Sequence, residues 1–263
     1  MDKKVITIIG SGNVATHMAK ALQAVGHQIL QVWSREFDHA ERLAYSVFAE
    51  PVDKLTLLYP SADVYILAVS DDALFDMALD LRFRDALVLH TSGSVPARVL
   101  YPISRRYGVI WSPQTFVRDV EMAYSELPFC IEGSSIKVRD EIKDLLREVS
   151  PHLYELDEMQ RQWLHLAAVM VSNFGNAINA TAQHLLSQRG IPFETLFPII
   201  RMTASKAEHE VDLWRLQTGP AMRRDTKTMD RQRKMIADDA RLLHLYDLMS
   251  ELITIGACNH ETH

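Results

Sequence analysis

Apolar positions follow two rhythms along this chain. Up to about Leu156, short runs of Val, Ile and Leu alternate with helix-length amphipathic stretches. That alternation predicts a parallel sheet covered by helices on both faces. Strands are predicted at residues 5–9, 29–33, 64–69, 87–91, 109–111 and 128–132, with weaker ones at 47–48 and 152–156. After Asp157 the strand rhythm stops and helical periodicity continues almost to the end. The fold class is therefore α/β: a Rossmann-type, doubly wound, mostly parallel sheet over residues 1–156, then a smaller all-α domain over residues 157–263.

The first helix of that second domain is predicted over residues 158–189, stopped by Gly190 and Pro192. Between Gln162 and Gln188 it has no Asp, Glu, Lys or Arg, so it is expected to be largely buried. On a regular helix His165, Ser172, Asn176, Asn179 and Gln183 share one narrow face, with Asn173 beside it. Trp163, Ala167, Met170, Phe174 and Leu185 take the opposite side. A buried polar stripe needs partners, because each unpaired group costs about 1–3 kcal/mol. Substrate, cofactor, a second subunit or a neighbouring helix are the alternatives. Imidazole can give or take a proton near neutral pH, so His165 is the candidate acid or base.

The strongest local chemistry sits at the other end of the chain. Gly10-Ser11-Gly12-Asn13-Val14-Ala15 is a G-x-G-x-x-A turn between an apolar strand and a helix. Gly10 permits the tight turn, Gly12 lets a diphosphate approach the backbone, and Ala15 allows close helix-to-strand packing. The helix N-terminus offers unpaired amides and the positive end of its dipole. A dinucleotide site that prefers NAD carries an acid at the end of the second strand. Here that strand runs into Ser34-Arg35-Glu36. A guanidinium and a hydroxyl suit the 2′-phosphate of NADP, a charge-assisted contact of about 1.5–3 kcal/mol, or about 10- to 150-fold in affinity. Glu36 opposes this weakly, since adjacent side chains of an extended segment point opposite ways.

Ligands of open α/β sheets lie beyond the carboxyl ends of the strands. Two such segments are expected near the nicotinamide end: Val69-Ser70-Asp71-Asp72, whose Val69 and Ser70 should touch the cofactor, and His90-Thr91-Ser92-Gly93-Ser94. Ser92 is a candidate for handling a proton and Asn173 for holding substrate or nicotinamide. Ser70, Asp71 and Ser92 also suit helix caps, and the two roles are compatible. Ser112-Pro113-Gln114-Thr115-Phe116 is expected to close one side of the cleft. In residues 217–225, with Arg223 and Arg224 after Gly219-Pro220, two readings stand equal: an arginine turned toward the cleft, or Asp225 capping the last helix with both arginines facing solvent.

Composition narrows the partners. The 263 residues are 48% apolar with a formal charge of −6, mixed along the chain. No basic stripe exists for nucleic acid or an anionic membrane, so small molecules are expected. Cys130 and Cys258 lack metal-ligand spacing, no metal is expected, and the first residues lack a signal-peptide core. A cytoplasmic location is expected. The tail Cys258–His263 is assigned no function.

With Gly10–Ala15, Ile66-Leu-Ala-Val-Ser-Asp71, His90–Ser94, His165-Leu-Ala-Ala-Val with Ser172-Asn173-Phe174, and Thr218-Gly-Pro-Ala on the page, the chain resembles NADP oxidoreductases of the 6-phosphogluconate dehydrogenase-like superfamily. The matching branch has a helical C-terminal domain of unknown function. The resemblance implies an active site between a Rossmann and a helical domain, and a homodimer formed through the helical domains. Several relatives that reduce carbonyls or imines place a lysine on the long helix, where this chain has His165. Similar sequences have histidine before the proline where this one has Ser112. The leading function is NADPH-dependent hydride transfer to a small carbonyl or imine, with His165, Ser92 and Asn173 at the reacting end. The alternatives are a non-catalytic sensor of NADP(H) and, more remotely, a methyltransferase, against which the missing acid after the second strand argues.

Overall fold

The structure, a computed structural model, describes residues 3–260, with side chains up to residue 256. Eight strands form one sheet in the order β3-β2-β1-β4-β5-β6-β7-β8. They are β1 (Val5–Ile9), β2 (Gln28–Trp33), β3 (Glu50–Val52), β4 (Val64–Leu67), β5 (Leu87–His90), β6 (Arg106–Trp111), β7 (Phe129–Gly133) and β8 (Leu153–Glu155). Every pairing is parallel except β6 with β7. Both faces of the central strands are covered, and β4 and β5 are buried at every position, which is why they read as continuous apolar runs rather than alternating ones.

Helices α1 (Asn13–Ala24), α2 (Phe37–Ser46) and α4 (Ile136–Leu146) contribute to one apolar core with Ile6, Ile8, Ile66 and Leu89. Helix α3 (Asp71–Asp80) contributes to a second core with Ile9, Tyr65, Leu67 and Val88. Each fully buried Ile or Leu contributes about 1.5–3 kcal/mol, so the sheet is a rigid platform for the loops at its carboxyl edge. The strand order reverses between β1 and β4, placing the crevice of a doubly wound sheet there.

The expected strand at residues 47–48 is absent. Val47 caps the C-terminus of α2 and Phe48 has φ 52°, a left-handed turn conformation. The strand follows at Glu50–Val52, where Pro51 is tolerated because β3 is at the edge of the sheet.

Helix α5 (Glu158–Ala168) opens on a capping box between Asp157 and Gln160. It continues through a π-helical turn, Val169–Phe174, into α6 (Gly175–Ser187). Two expectations for this stretch are corrected. The π turn adds a residue and rotates the faces on either side of it, so the polar stripe drawn on a regular helix does not hold: His165 and Ser172 are half-buried, whereas Asn173, Asn176 and Gln183 are exposed. Nor is the helix buried within the chain, since Trp163 is 64% and Val171 82% exposed, and Met170 and Phe174 are exposed as well.

The chain divides into two compact units, Met1–Ile178 and Asn179–His263. Sequence character changes at Asp157, but α5 and the π turn belong with the sheet unit because side chains of α5 hold the loop after β5. The second unit contains α7 (Phe197–His209), α8 (Thr226–Met235) and α9 (Ala240–His260). Asp225 caps α8 by accepting from the Thr228 amide at 3.1 Å. The tail assigned no function lies outside the described side chains. None of the described helices is long and apolar enough to cross a membrane.

Candidate functional site

The site starts where β1 turns into α1. Gly10 has φ +125°, and a Cβ there would lie 2.2 Å from the Ala68 carbonyl oxygen. Only glycine therefore permits β1 and the end of β4 to approach so closely. Gly12 faces the other way, with nothing within 4 Å of where its Cβ would be. No side chain caps α1 at Gly12, and its first turn carries no acid. The amides that open α1 thus face free space at the positive end of the helix, as a diphosphate requires. Ala15 is fully buried against the sheet, in the packing role assigned to it.

A cavity of about 570 Å³ opens there, across the carboxyl ends of β2, β1, β4, β5 and β6. Four strand spacings make it roughly 19 Å from end to end. Gly10, Ser11, Gly12, Asn13, Val14, Ser34, Arg35, Val69, Ser70, Ser92 and His165 all line it. Of the residues singled out in the sequence, Ala15 lies beneath it and Asn173 lines no part of it. Asn173 is exposed within the π turn.

At the β2 end the Ser11 hydroxyl donates to Ser34 Oγ at 2.9 Å, and Arg35 is exposed and free to meet an anion. Glu36 lines the cavity too, so it does not point away as alternation in an extended segment suggests: it is the N-cap residue of α2, where the chain turns. Its carboxylate lies 3.6 Å from His39 Nε2.

The long connection from β6 to β7 folds back onto α1. Asn13 Nδ2 donates to the Phe116 carbonyl at 2.9 Å, and Arg118 donates to the Ser11 carbonyl at 2.9 Å. His17 Nε2 donates to the Val117 carbonyl at 2.8 Å, and Nδ1 lies 3.1 Å from the Tyr124 hydroxyl. The Ser11 carbonyl is thereby occupied by protein, as is the Gly10 amide, which donates to the Trp33 carbonyl at 2.8 Å. Thr115 Oγ1 meets Ser172 Oγ at 2.9 Å.

At the β5 end Ser94 Oγ donates to Asp71 Oδ2 at 2.5 Å. Ser92 Oγ accepts from the amides of Ser94 and Val95 at 3.1 and 3.0 Å and lies 3.2 Å from Ser94 Oγ. Since the Ser94 proton is given to Asp71, the Ser92 proton points to Ser94. Ser92 is a loop cap with all its hydrogen-bonding capacity in use, which leaves it poorly placed to hand a proton to substrate. His165 differs: among the described residues neither ring nitrogen has a hydrogen-bond partner. Its ring stands edge-on to Trp111 with centroids 5.5 Å apart, over the backbone of Gly93.

Sequence reasoning places Gly93 in the segment near the nicotinamide end without giving it a role, and it misses Trp111 and Arg161. Arg161 is 0% exposed, donates to the Ser92 carbonyl at 3.1 Å and pairs with Glu132 at 3.1 Å. Its signal was a lone arginine one turn before His165, at the edge of the uncharged stretch. Beneath the same loop His90 is fully buried and accepts from the Ser92 amide at 3.1 Å. Burial, and then the Arg161 charge, hold its imidazole down at about 3.

Residues 5–92 match the family described as NADP oxidoreductase, coenzyme F420-dependent, and residues 127–253 match a domain of unknown function, DUF2520. The chain is 38% identical to the "putative NADP oxidoreductase BF3122" of Bacteroides fragilis, with a TM-score of 0.89 over 96% of this chain and 98% of that one. A reductive aminase from Aspergillus terreus in complex with NADPH shares the fold at 15% identity, with a TM-score of 0.73 over 97% and 96% of the two chains. An imine reductase from Myxococcus stipitatus in complex with NADP+ does so at 17% identity, with a TM-score of 0.70 over 95% and 92%. A comparison with curated proteins finds no match. The uncapped turn, the arginine after β2 and the likeness along nearly the whole chain agree, and the chain belongs to the NADP oxidoreductase family that joins a Rossmann domain to a DUF2520 helical domain on the 6-phosphogluconate dehydrogenase-like fold.

Proposed function

We propose that this NADP-dependent oxidoreductase reduces a C=N or C=O carbon of a small molecule, with His165 supplying the proton. The carrying observation is that one cavity joins the phosphate-binding turn and Arg35 to an unpartnered imidazole. When bound, the coenzyme supplies a hydride from its nicotinamide ring. The amides opening α1 would hold its diphosphate and Ser34 and Arg35 the 2′-phosphate, with Val69 and Ser70 lining the cavity toward β4. As hydride reaches the electrophilic carbon, the nitrogen or oxygen takes a proton from His165, whose ring Trp111 and Gly93 hold in place. A carbon–nitrogen substrate is favoured by two structural relatives, described as a reductive aminase and an imine reductase.

The test is NADPH consumption with a panel of keto acids, aldehydes, cyclic imines and ketones mixed with amines. Some member is expected to oxidise NADPH, and His165→Phe should lower kcat about 100-fold or more while NADPH affinity holds. Tight NADPH binding without turnover of any member counts against a reductase. Equal kcat in the variant removes His165 as the donor.

We also propose that the active form is a homodimer in which a second copy covers the exposed apolar face of α5, the π turn and the start of α6. Trp163, Met170, Val171 and Phe174 are exposed there in a stretch without formal charge, and large exposed apolar side chains grouped on one segment favour an interface.

A further inference from the structure

We infer that Arg161 is the positioning residue of the reacting end: its buried guanidinium sets the Ser92–Ser94 loop and, one helical turn on, the place of the His165 ring. The inference rests on reading this cavity as the coenzyme and substrate cleft.

A buried guanidinium is costly, and an apolar side chain of similar size would often pack as well or better. Here it joins three elements that nothing else joins in the same way. One arm donates to the Ser92 carbonyl on the loop after β5, another pairs with Glu132 on β7, and the stem stands on α5. Gln162, the next residue, donates to the Ser94 carbonyl at 3.2 Å. Two consecutive side chains of α5 therefore hold two carbonyls of one loop.

Positions 161 and 165 lie on the same face of α5, so a helix held at 161 presents His165 to that loop. The approach is very close. A Cβ on Gly93 would lie 2.8 Å from His165 Cδ2 and 2.9 Å from Trp111 Cε2, so the imidazole rests on bare backbone. Such a seat depends on the spacing between α5 and the loop, which Arg161 spans with Gln162 beside it, and of the two only Arg161 is also tied to β7. Its charge also reaches inward, opposing protonation of His90 and pulling down the Cys130 thiol, which burial nonetheless pushes up to about 11.

The experiment compares Arg161→Lys, Arg161→Met and the double variant Arg161→Met with Glu132→Gln, which removes both charges together. Three readouts are taken: the ring proton resonances of His165 by NMR, shifted in the wild type by the Trp111 ring; affinity for 2′,5′-ADP, which probes the adenosine end; and affinity for NADPH with the change in its nicotinamide fluorescence. In the folded double variant the His165 resonances should move toward free-imidazole positions. Affinity for 2′,5′-ADP should hold within about twofold, because distant sites act independently, while NADPH affinity falls about tenfold and its fluorescence change is lost. Arg161→Lys, which keeps the charge without the fork, should fall between.

Unchanged His165 resonances and NADPH binding in the folded double variant would overturn the proposal. So would equal loss of 2′,5′-ADP and NADPH, which signals general damage, or unfolding of all three variants, which would make Arg161 a residue of the fold as a whole. Failure of the cleft reading looks different: wild-type protein would not bind NADPH, while the His165 resonances would still report on Arg161.

Discussion

Arg35 and Glu36 put opposite charges on one rim of the cavity, and coenzyme preference follows from which of them the ribose meets. A 2′-phosphate gains a charge-assisted contact with Arg35, whereas a bare ribose hydroxyl gains little from it. Wild-type protein should bind NADPH more tightly than NADH, and Arg35→Ala should reduce that preference by about 10- to 150-fold in paired calorimetric titrations. An unchanged ratio would clear Arg35 of the role. His90 makes a prediction of another kind. Its imidazole ordinarily titrates at 6.5 but is held at about 3 in the folded chain, so between those values the unfolded chain takes up a proton that the folded one does not. Stability is therefore full above about pH 6.5 and falls as pH drops, by up to about 1.4 kcal/mol per pH unit. His90→Asn keeps an acceptor for the Ser92 amide and does not titrate. Its melting temperature should decline less than that of the wild type between about pH 6 and 4, and parallel declines would mean that the acid sensitivity arises elsewhere.

Among the elements, the strands were largely legible because fully buried parallel strands are nearly uninterrupted apolar runs, as in Val64–Leu67 and Leu87–His90. Edge strand β3 was not, since its Pro51 argues against a strand and only the edge position makes it tolerable. The glycine turn was largely legible: Gly10 and Ala15 do what their size dictates, Gly12 opens onto free space, and those demands are local. The β5 end of the site was less so. Ser92 suits both a cap and a site hydroxyl in the sequence, and its contacts in the structure are those of a cap. Arg161 looks like a surface arginine until its helix is seen to meet a loop nearly seventy residues earlier in the chain. The π turn carries no mark in the apolar periodicity, yet it changes the register of the residues on either side of it. Contacts between distant segments, and one added residue in a helix, lie beyond what periodicity encodes.

At the scale of the molecule, the single chain leaves too much uncovered. In the second unit only Ala221, Ser250 and Gly256 are buried among the described residues, although a helical unit of that size needs a continuous apolar core to offset its chain entropy. In the first unit Trp163, Met170, Val171 and Phe174, within the uncharged stretch that begins at Gln162, are exposed. Both deficits are met at once if a second copy packs against these helices, because an isologous interface covers the same face in each partner. Light scattering should then give twice the mass of the 30.0 kDa chain. Val171→Glu, which places a charge at a position 82% exposed in the single chain, should shift the mass toward that of one chain and lower the melting temperature, because an unpaired carboxylate in an apolar interface is costly. Affinity for 2′,5′-ADP should persist, since the phosphate turn and Arg35 belong to the sheet unit. A wild-type mass equal to one chain, with a cooperative melt that does not depend on protein concentration, would refute the dimer and require the helices to find their cover another way.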